Sequence, residues 1–156
     1  MIHFFKPKPE LSSLIPENFI DIHSHLIPRI DDGSKSLDES ISLINQLTKF
    51  GFKKIITTPH IINDVWKNNE STIRTNYQEI KNDIYNSCDI DLFNVAAEYM
   101  MDSHFLKRIN NEKLLTIKEN YVLVEMSYLQ PPIQLYDIIF EIQLAVYKPI
   151  LAHPER

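Results

Sequence analysis

The chain has 156 residues, 44% hydrophobic and 24% charged, which suits a soluble globular domain with a real core. Its net charge of −5, with acids and bases interspersed, shows no basic patch and argues against a dedicated nucleic-acid binder. A single cysteine excludes an intrachain disulfide framework, and only two glycines exclude a Gly-rich phosphate loop.

Residues 1–18 read as an extended leader, because the prolines at 7, 9 and 16 argue against regular structure. No stretch reaches the ~20 apolar residues of a membrane span, and Met1 to Lys6 lacks a signal-peptide core. With one thiol as well, the expected location is cytoplasmic. From Phe19 the pattern alternates between strand and helix. A short strand through Ile20 and Ile22 runs to His23, then a loop carries Asp31-Asp32-Gly33. A helix is predicted from Leu37 to Phe50, with Ser36 and Glu39 as a capping box and Gly51 as its stop. A second strand, Lys53 to Thr57, leads to His60 and a polar loop containing Trp66, followed by a helix over 71–85. A third strand, Leu92 to Ala97, ends at Glu98, with a short helix over 103–109. The fourth, Tyr121 to Val124, ends at Glu125, and a helix over 133–147 follows Pro131-Pro132. The fifth, Pro149 to Ala152, ends at His153.

This βα alternation predicts one α/β domain over 19–156. Ligand-type side chains at every strand end favour a barrel over an open sheet, which would use a single switch point. Barrels of this kind take about 200 or more residues, so five βα units predict a C-terminally incomplete one.

In α/β folds the carboxyl ends of parallel strands share a face, so residues distant in sequence converge there. His23 and His25, two apart in extended backbone, point the same way. Joined by His60, Glu98, Glu125 and His153, they offer nitrogen and oxygen ligands for divalent first-row metals, more than one of them. Glu98 and Glu125 close strongly apolar runs, where a carboxylate is costly unless paired or coordinated. Asp32 lies in the first βα loop on the same face and is a further ligand candidate, whereas Asp31 reads equally well as a turn residue. Arg156 suits a phosphate oxyanion, since its guanidinium fork matches that geometry. Cys88 has Asn94 six residues on, where a cysteine phosphatase needs arginine, so a thiol nucleophile is not expected.

Asp21-Ile22-His23-Ser24-His25, the stretch Pro-Arg-Ile-Asp-Asp-Gly at 28–33, Thr57-Thr58-Pro59-His60, Ala97-Glu98-Tyr99 and Ala152-His153-Pro154-Glu155-Arg156 together resemble the PHP (polymerase and histidinol phosphatase) superfamily. More narrowly, they resemble its bacterial branch of metal-dependent protein-tyrosine phosphatases tied to capsular and exopolysaccharide synthesis. The resemblance implies a distorted (β/α)7 barrel, of which the first five units are present. It implies up to three divalent ions, manganese being frequent, held by His23, His25, Asp32, His60, Glu98, Glu125 and His153. Catalysis would involve His60, Asp32 and Arg156, with Arg156 binding phosphate. Arg29 stands where the family usually has glycine and would add a phosphate contact. The family's further Asp-x-His pair and second phosphate-binding arginine have no counterpart in these residues. The implied substrate is a tyrosine-phosphorylated protein, the tail of a bacterial kinase that controls polysaccharide export. A small-molecule phosphoesterase of the histidinol-phosphate type and a non-catalytic metal-binding fragment are the alternatives, and homo-oligomerisation is open.

Overall fold

Each short apolar run between polar loops becomes a strand, and each amphipathic stretch a helix. The structure, a computed structural model, describes residues 8–16 and 19–154. In chain order the elements are α1 (Leu11–Leu14), β1 (Ile20–Asp21), α2 (Leu37–Lys49), β2 (Lys54–Thr57), β3 (His60–Ile61) and α3 (Glu70–Ser87). There follow β4 (Leu92–Val95), β5 (Glu98–Met100), α4 (Ser103–Asn111), β6 (Tyr121–Glu125), α5 (Leu135–Leu144) and β7 (Lys148–Leu151).

All strand pairs are parallel, in the orders β1-β2-β4 and β3-β5-β6-β7. These two sheets are one succession with a bend in it. Pro59 has no N–H and interrupts the ladder between β2 and β3, while Ala96-Ala97 separates β4 from β5. Hydrogen bonds carry the pairing through the bend: Ala96 N–H donates to Thr57 O at 2.9 Å and Glu98 N–H to Pro59 O at 3.1 Å. The run Leu92 to Ala97, expected as one strand ending at Glu98, is therefore split, and His60 and Glu98 open strands rather than follow them. The strands succeed one another in chain order without the reversal that marks a doubly wound sheet.

One face of this sheet holds the core. Ile55, Phe93, Val95, Ile61, Tyr99, Val122 and Val124 pack against Ile44 of α2, Ile73, Tyr77 and Ile84 of α3, Phe105 of α4 and Ile138 of α5. The residues between them on β5 and β6, Glu98 and Glu125, face the other way, as strand alternation requires.

The helix ends follow local chemistry. Ser36 Oγ accepts from Glu39 N–H, but the Glu39 carboxylate reaches back to Lys35 N–H instead of Ser36. Gly51, at φ 99°, closes α2 as expected. Helix α3 starts earlier than predicted because Asn69 and Thr72 form a reciprocal capping box. Helix α5 is shorter than predicted: Pro132 O accepts Leu135 N–H in a turn, and Val146 at φ 66° ends the helical run. Where extended backbone was expected, Leu11–Leu14 makes one helical turn, with Ser13 Oγ donating to Glu10 O.

Candidate metal centre

Glu98 is the hub of the site. Its side chain is fully buried, yet four imidazoles surround it. His23 Nε2 stands 3.1 Å from Oε2, His25 Nε2 3.3 Å and His60 Nδ1 3.2 Å, while His153 Nε2 is 3.5 Å from Oε1. His60 Nδ1 also lies 2.8 Å from Glu125 Oε1. The rings crowd together, with centroids 4.5 Å apart for His25 and His60 and 4.7 Å for His23 and His153.

The topology explains the convergence. Parallel register sets His60 beside Glu98 and places Glu125 beside Met100. His23 and His25 sit just past β1, where Thr58 N–H and Thr57 Oγ1 both donate to Ser24 O and hold the segment against the bend of the second run. His153 follows β7 with φ 49°, a left-handed conformation that costs a non-glycine residue about 1–2 kcal/mol. Such strain is typical of functional positions.

Asp31 is the residue that sequence reasoning undervalued. It is buried, its Oδ2 lies 2.7 Å from His25 Nδ1, and its carboxylate accepts from the backbone N–H of Gly33 and of His60. Pinning one ring nitrogen leaves His25 Nε2 directed at Glu98, the carboxylate–histidine arrangement that orients metal ligands. Only its even-handed reading as a turn residue, beside the ligand candidate Asp32, hinted at this. Gly33 also does more than turn the chain. A Cβ there would lie 2.3 Å from His25 O and 2.4 Å from His25 Cβ. Asp32 is exposed at the outer edge, with Oδ1 3.6 Å from His60 Nε2. Arg29 is exposed at φ 64°, a position that favours glycine, and its N–H donates to Ser34 O. Arg156 lies outside the described residues.

Electrostatics follow from burial against pairing. Burial, the largest influence on His25, disfavours its proton, but Asp31 and Glu98 outweigh it and raise the pKa to about 10. Burial likewise opposes ionisation of Glu98, yet the His23 and His25 rings bring its carboxyl down to about 2. His60 is raised by Glu125 against its own burial, and Asp31 is lowered by His25 against burial.

Neither oxygen of Glu98 nor Nδ1 of His60 makes a hydrogen bond of acceptable geometry, despite the short separations. Lone pairs that approach without bonding one another are aimed at shared points, which is the geometry of a cation site. Three such groupings occur among the described residues: His23, Glu98 and His153; His25, His60 and Glu98; His25, Asp31 and Asp32. Within each, the ligand atoms lie within 4.8 Å of one another, so the residues fit a divalent ion, and the first two groupings share Glu98. Cys88, by contrast, is buried with its thiol donating to Ile41 O at 3.8 Å, and burial pushes its pKa up.

The chain is similar to known proteins over most of its length. YwqE of Bacillus subtilis, a tyrosine-protein phosphatase, is 30% identical over 88% of this chain and 54% of its own length. CpsB of Streptococcus pneumoniae, also a tyrosine-protein phosphatase, is 27% identical over 88% of the chain and 57% of itself. The chain thus spans about half the length of the curated relatives it matches. A chain from the crystal structures of these two metal-dependent tyrosine phosphatases superposes with a TM-score of 0.77 at 27% identity, covering 88% of this chain and 56% of that one. The family model for capsular polysaccharide synthesis proteins of the CpsB/CapC type matches residues 19–156, and the chain belongs to that family.

Proposed function

We propose that this chain carries the site of a metal-dependent phosphotyrosine-protein phosphatase of the PHP type. The substrate is the tyrosine-phosphorylated tail of a bacterial kinase that controls capsular or exopolysaccharide export. The observation that carries this reading is the buried Glu98 carboxylate ringed by His23, His25, His60 and His153. Relatives of the same family and fold are metal-dependent tyrosine phosphatases.

Divalent ions, manganese in our reading, would neutralise phosphoryl charge and lower the pKa of water when bound. The residues prepare that chemistry. Glu98 and Glu125 would supply the negative charge that holds cations, and Asp31 fixes the His25 ring. His60 presents Nδ1 to the carboxylates and Nε2 toward the exposed Asp32, so a proton held at Nε2 stands on the open side of the site. A phenolate with a pKa of about 10 leaves more readily than an alkoxide, so modest acid assistance from His60 suffices. Arg29 and Arg156 are assigned to the phosphoryl oxygens.

The test is turnover of an aryl phosphate with and without chelator. Chelation should abolish it, manganese should restore it, and Cys88→Ser should leave the rate unchanged. Activity that survives chelation, or that collapses on Cys88→Ser, overturns the proposal.

A further inference from the structure

Two asparagines stand side by side at the end of the second βα loop, and they serve different ends. Asn69 caps α3, its side chain and that of Thr72 each bonding the other's backbone. Asn68 turns the other way. Its Nδ2 donates to Ile30 O at 2.8 Å and to His60 O at 2.9 Å. Both partners are carbonyl acceptors, so the orientation of the amide is fixed and both of its hydrogens are committed.

Those carbonyls belong to the two segments on the open side of the metal centre. Ile30 directly precedes Asp31 and Asp32, and His60 opens β3. Pairing of β3 with β5 passes through Pro59 O, which accepts from Glu98 N–H, so the N–H and C=O of His60 point to the opposite edge. There the N–H donates to Asp31 Oδ2 at 3.0 Å and the C=O accepts from Asn68. Two side chains thus tie the first loop to β3. The Asp31 carboxylate is already shared with His25 and Gly33. Asn68 supplies the second tie from outside the ligand set.

The amide is held on a rigid frame. Asn68 N–H donates to Trp66 O at 2.7 Å, and Ile62 and Trp66 exchange both backbone hydrogen bonds across a tight turn that begins just after His60. On its other side the Asn69 cap starts α3. Its position is therefore set before any cation arrives, as support for metal ligands requires.

We infer that Asn68 is a positioning residue of the metal centre: its amide clamps the first loop to His60 and sets the distance between Asp32 and the His60 ring. The inference rests on the metal-dependent reading above. Asp32 Oδ1 and His60 Nε2 stand 3.6 Å apart across the mouth of the site. Without the clamp, the loop that carries Asp32 is tied to β3 by Asp31 alone.

The experiment titrates manganese calorimetrically into the parent chain and three variants, and records the visible spectrum of each with cobalt(II), which reports ligand geometry. Asn68→Ala removes both donors at a partly exposed position, and Asn68→Ser keeps one, a milder change that does not threaten the fold. Asn69→Ala removes the α3 cap and is the control for loop and helix stability. Asn68→Ala should weaken manganese binding about 10–100-fold, the usual scale for a residue that supports ligands, and alter the cobalt spectrum. Asn68→Ser should fall between it and the parent. Asn69→Ala should lower the melting temperature yet keep the parent's manganese affinity and cobalt spectrum. Parent-like affinity and spectrum in both Asn68 variants, or equal losses in Asn69→Ala, overturn the positioning role and leave the metal centre standing. A parent chain that binds neither ion overturns the metal-centre reading and this inference with it.

Discussion

At the scale of single residues, the site depends on groups that are not themselves the obvious ligands. Asp31→Asn keeps the size of the side chain but removes the charge that fixes the His25 ring. Such supporting residues are typically worth 10–100-fold in metal affinity. We expect a loss of that order in a manganese titration, with the circular dichroism spectrum unchanged. Gly33→Ala should be worse for the fold as well. The added methyl meets the backbone oxygen and Cβ of His25, which cannot swing aside as a side-chain tip can. We expect a lower melting temperature and a reduced metal content by elemental analysis, and an unaltered Gly33→Ala protein would show that the loop relaxes freely.

Protonation belongs to the same scale. Without metal, His25 at about 10 is charged at neutral pH, so a cation must displace its proton to bind Nε2. The sign is fixed: metal affinity rises with pH, and binding releases protons. Calorimetry in buffers of different ionisation enthalpy should show this release near pH 7. Proton uptake on binding would contradict it.

At the scale of elements, the helix α3 does the work of a missing strand. Beside β4 the pairing on one side is with β2, and on Phe93 the remaining backbone groups meet tyrosine hydroxyls. Phe93 N–H donates to Tyr85 Oη at 2.8 Å, and Phe93 O accepts from Tyr77 Oη at 2.7 Å. The bend at Ala96-Ala97 moves the chain from one sheet to the other, and these hydroxyls seal the edge left before it. Tyr77→Phe keeps the ring and deletes the bond at a buried site, so it should destabilise by about 1 kcal/mol in urea unfolding. Joined with Tyr85→Phe, it should cost more than the sum of the two, because both hydroxyls donate to the Phe93 carbonyl. A neutral double substitution would show that water replaces both hydroxyls.

At the scale of the whole molecule, a cation bound in the charged cluster would couple folding to binding. Glu98 and its imidazoles come from four separate segments, so an ion held among them ties those segments together only in the folded state. If the proposed manganese binding holds, the ion at 100 times its dissociation constant would add about 2.7 kcal/mol to stability. The melting temperature should rise accordingly, and His23→Ala combined with His25→Ala should abolish the rise while leaving the helical signal largely intact. An unchanged response in that double variant would remove the cluster from metal binding.

Much of this was legible in the residues. The apolar runs announced five parallel strand regions, Ser36 and Gly51 bounded a helix correctly, and His23, His25, His60, Glu98, Glu125 and His153, which the fold brings together, stood out as candidates because ligand-type side chains stand beside apolar runs only at some cost. Those signals are local, set by side-chain period, capping chemistry and the penalty of burying a carboxylate. Other features depend on where distant segments meet. The break at Pro59 that separates β2 from β3, a short strand where a loop was expected, is local, but the matching break at Ala96-Ala97 has no proline or glycine to mark it and follows the bend of its neighbour. Asp31 looked like a turn residue until folding set its carboxylate against His25 and the N–H of His60, twenty-nine positions away. Gly33 looked like a turn glycine until His25 closed over it. The choice of Glu98 as hub likewise arises from register. Sequence by itself determined which residues could bind a cation and which runs could form strands, because composition and period are properties of the chain. Only the tertiary structure decided which of them share a point in space, because that depends on how parallel strands align and bend against one another.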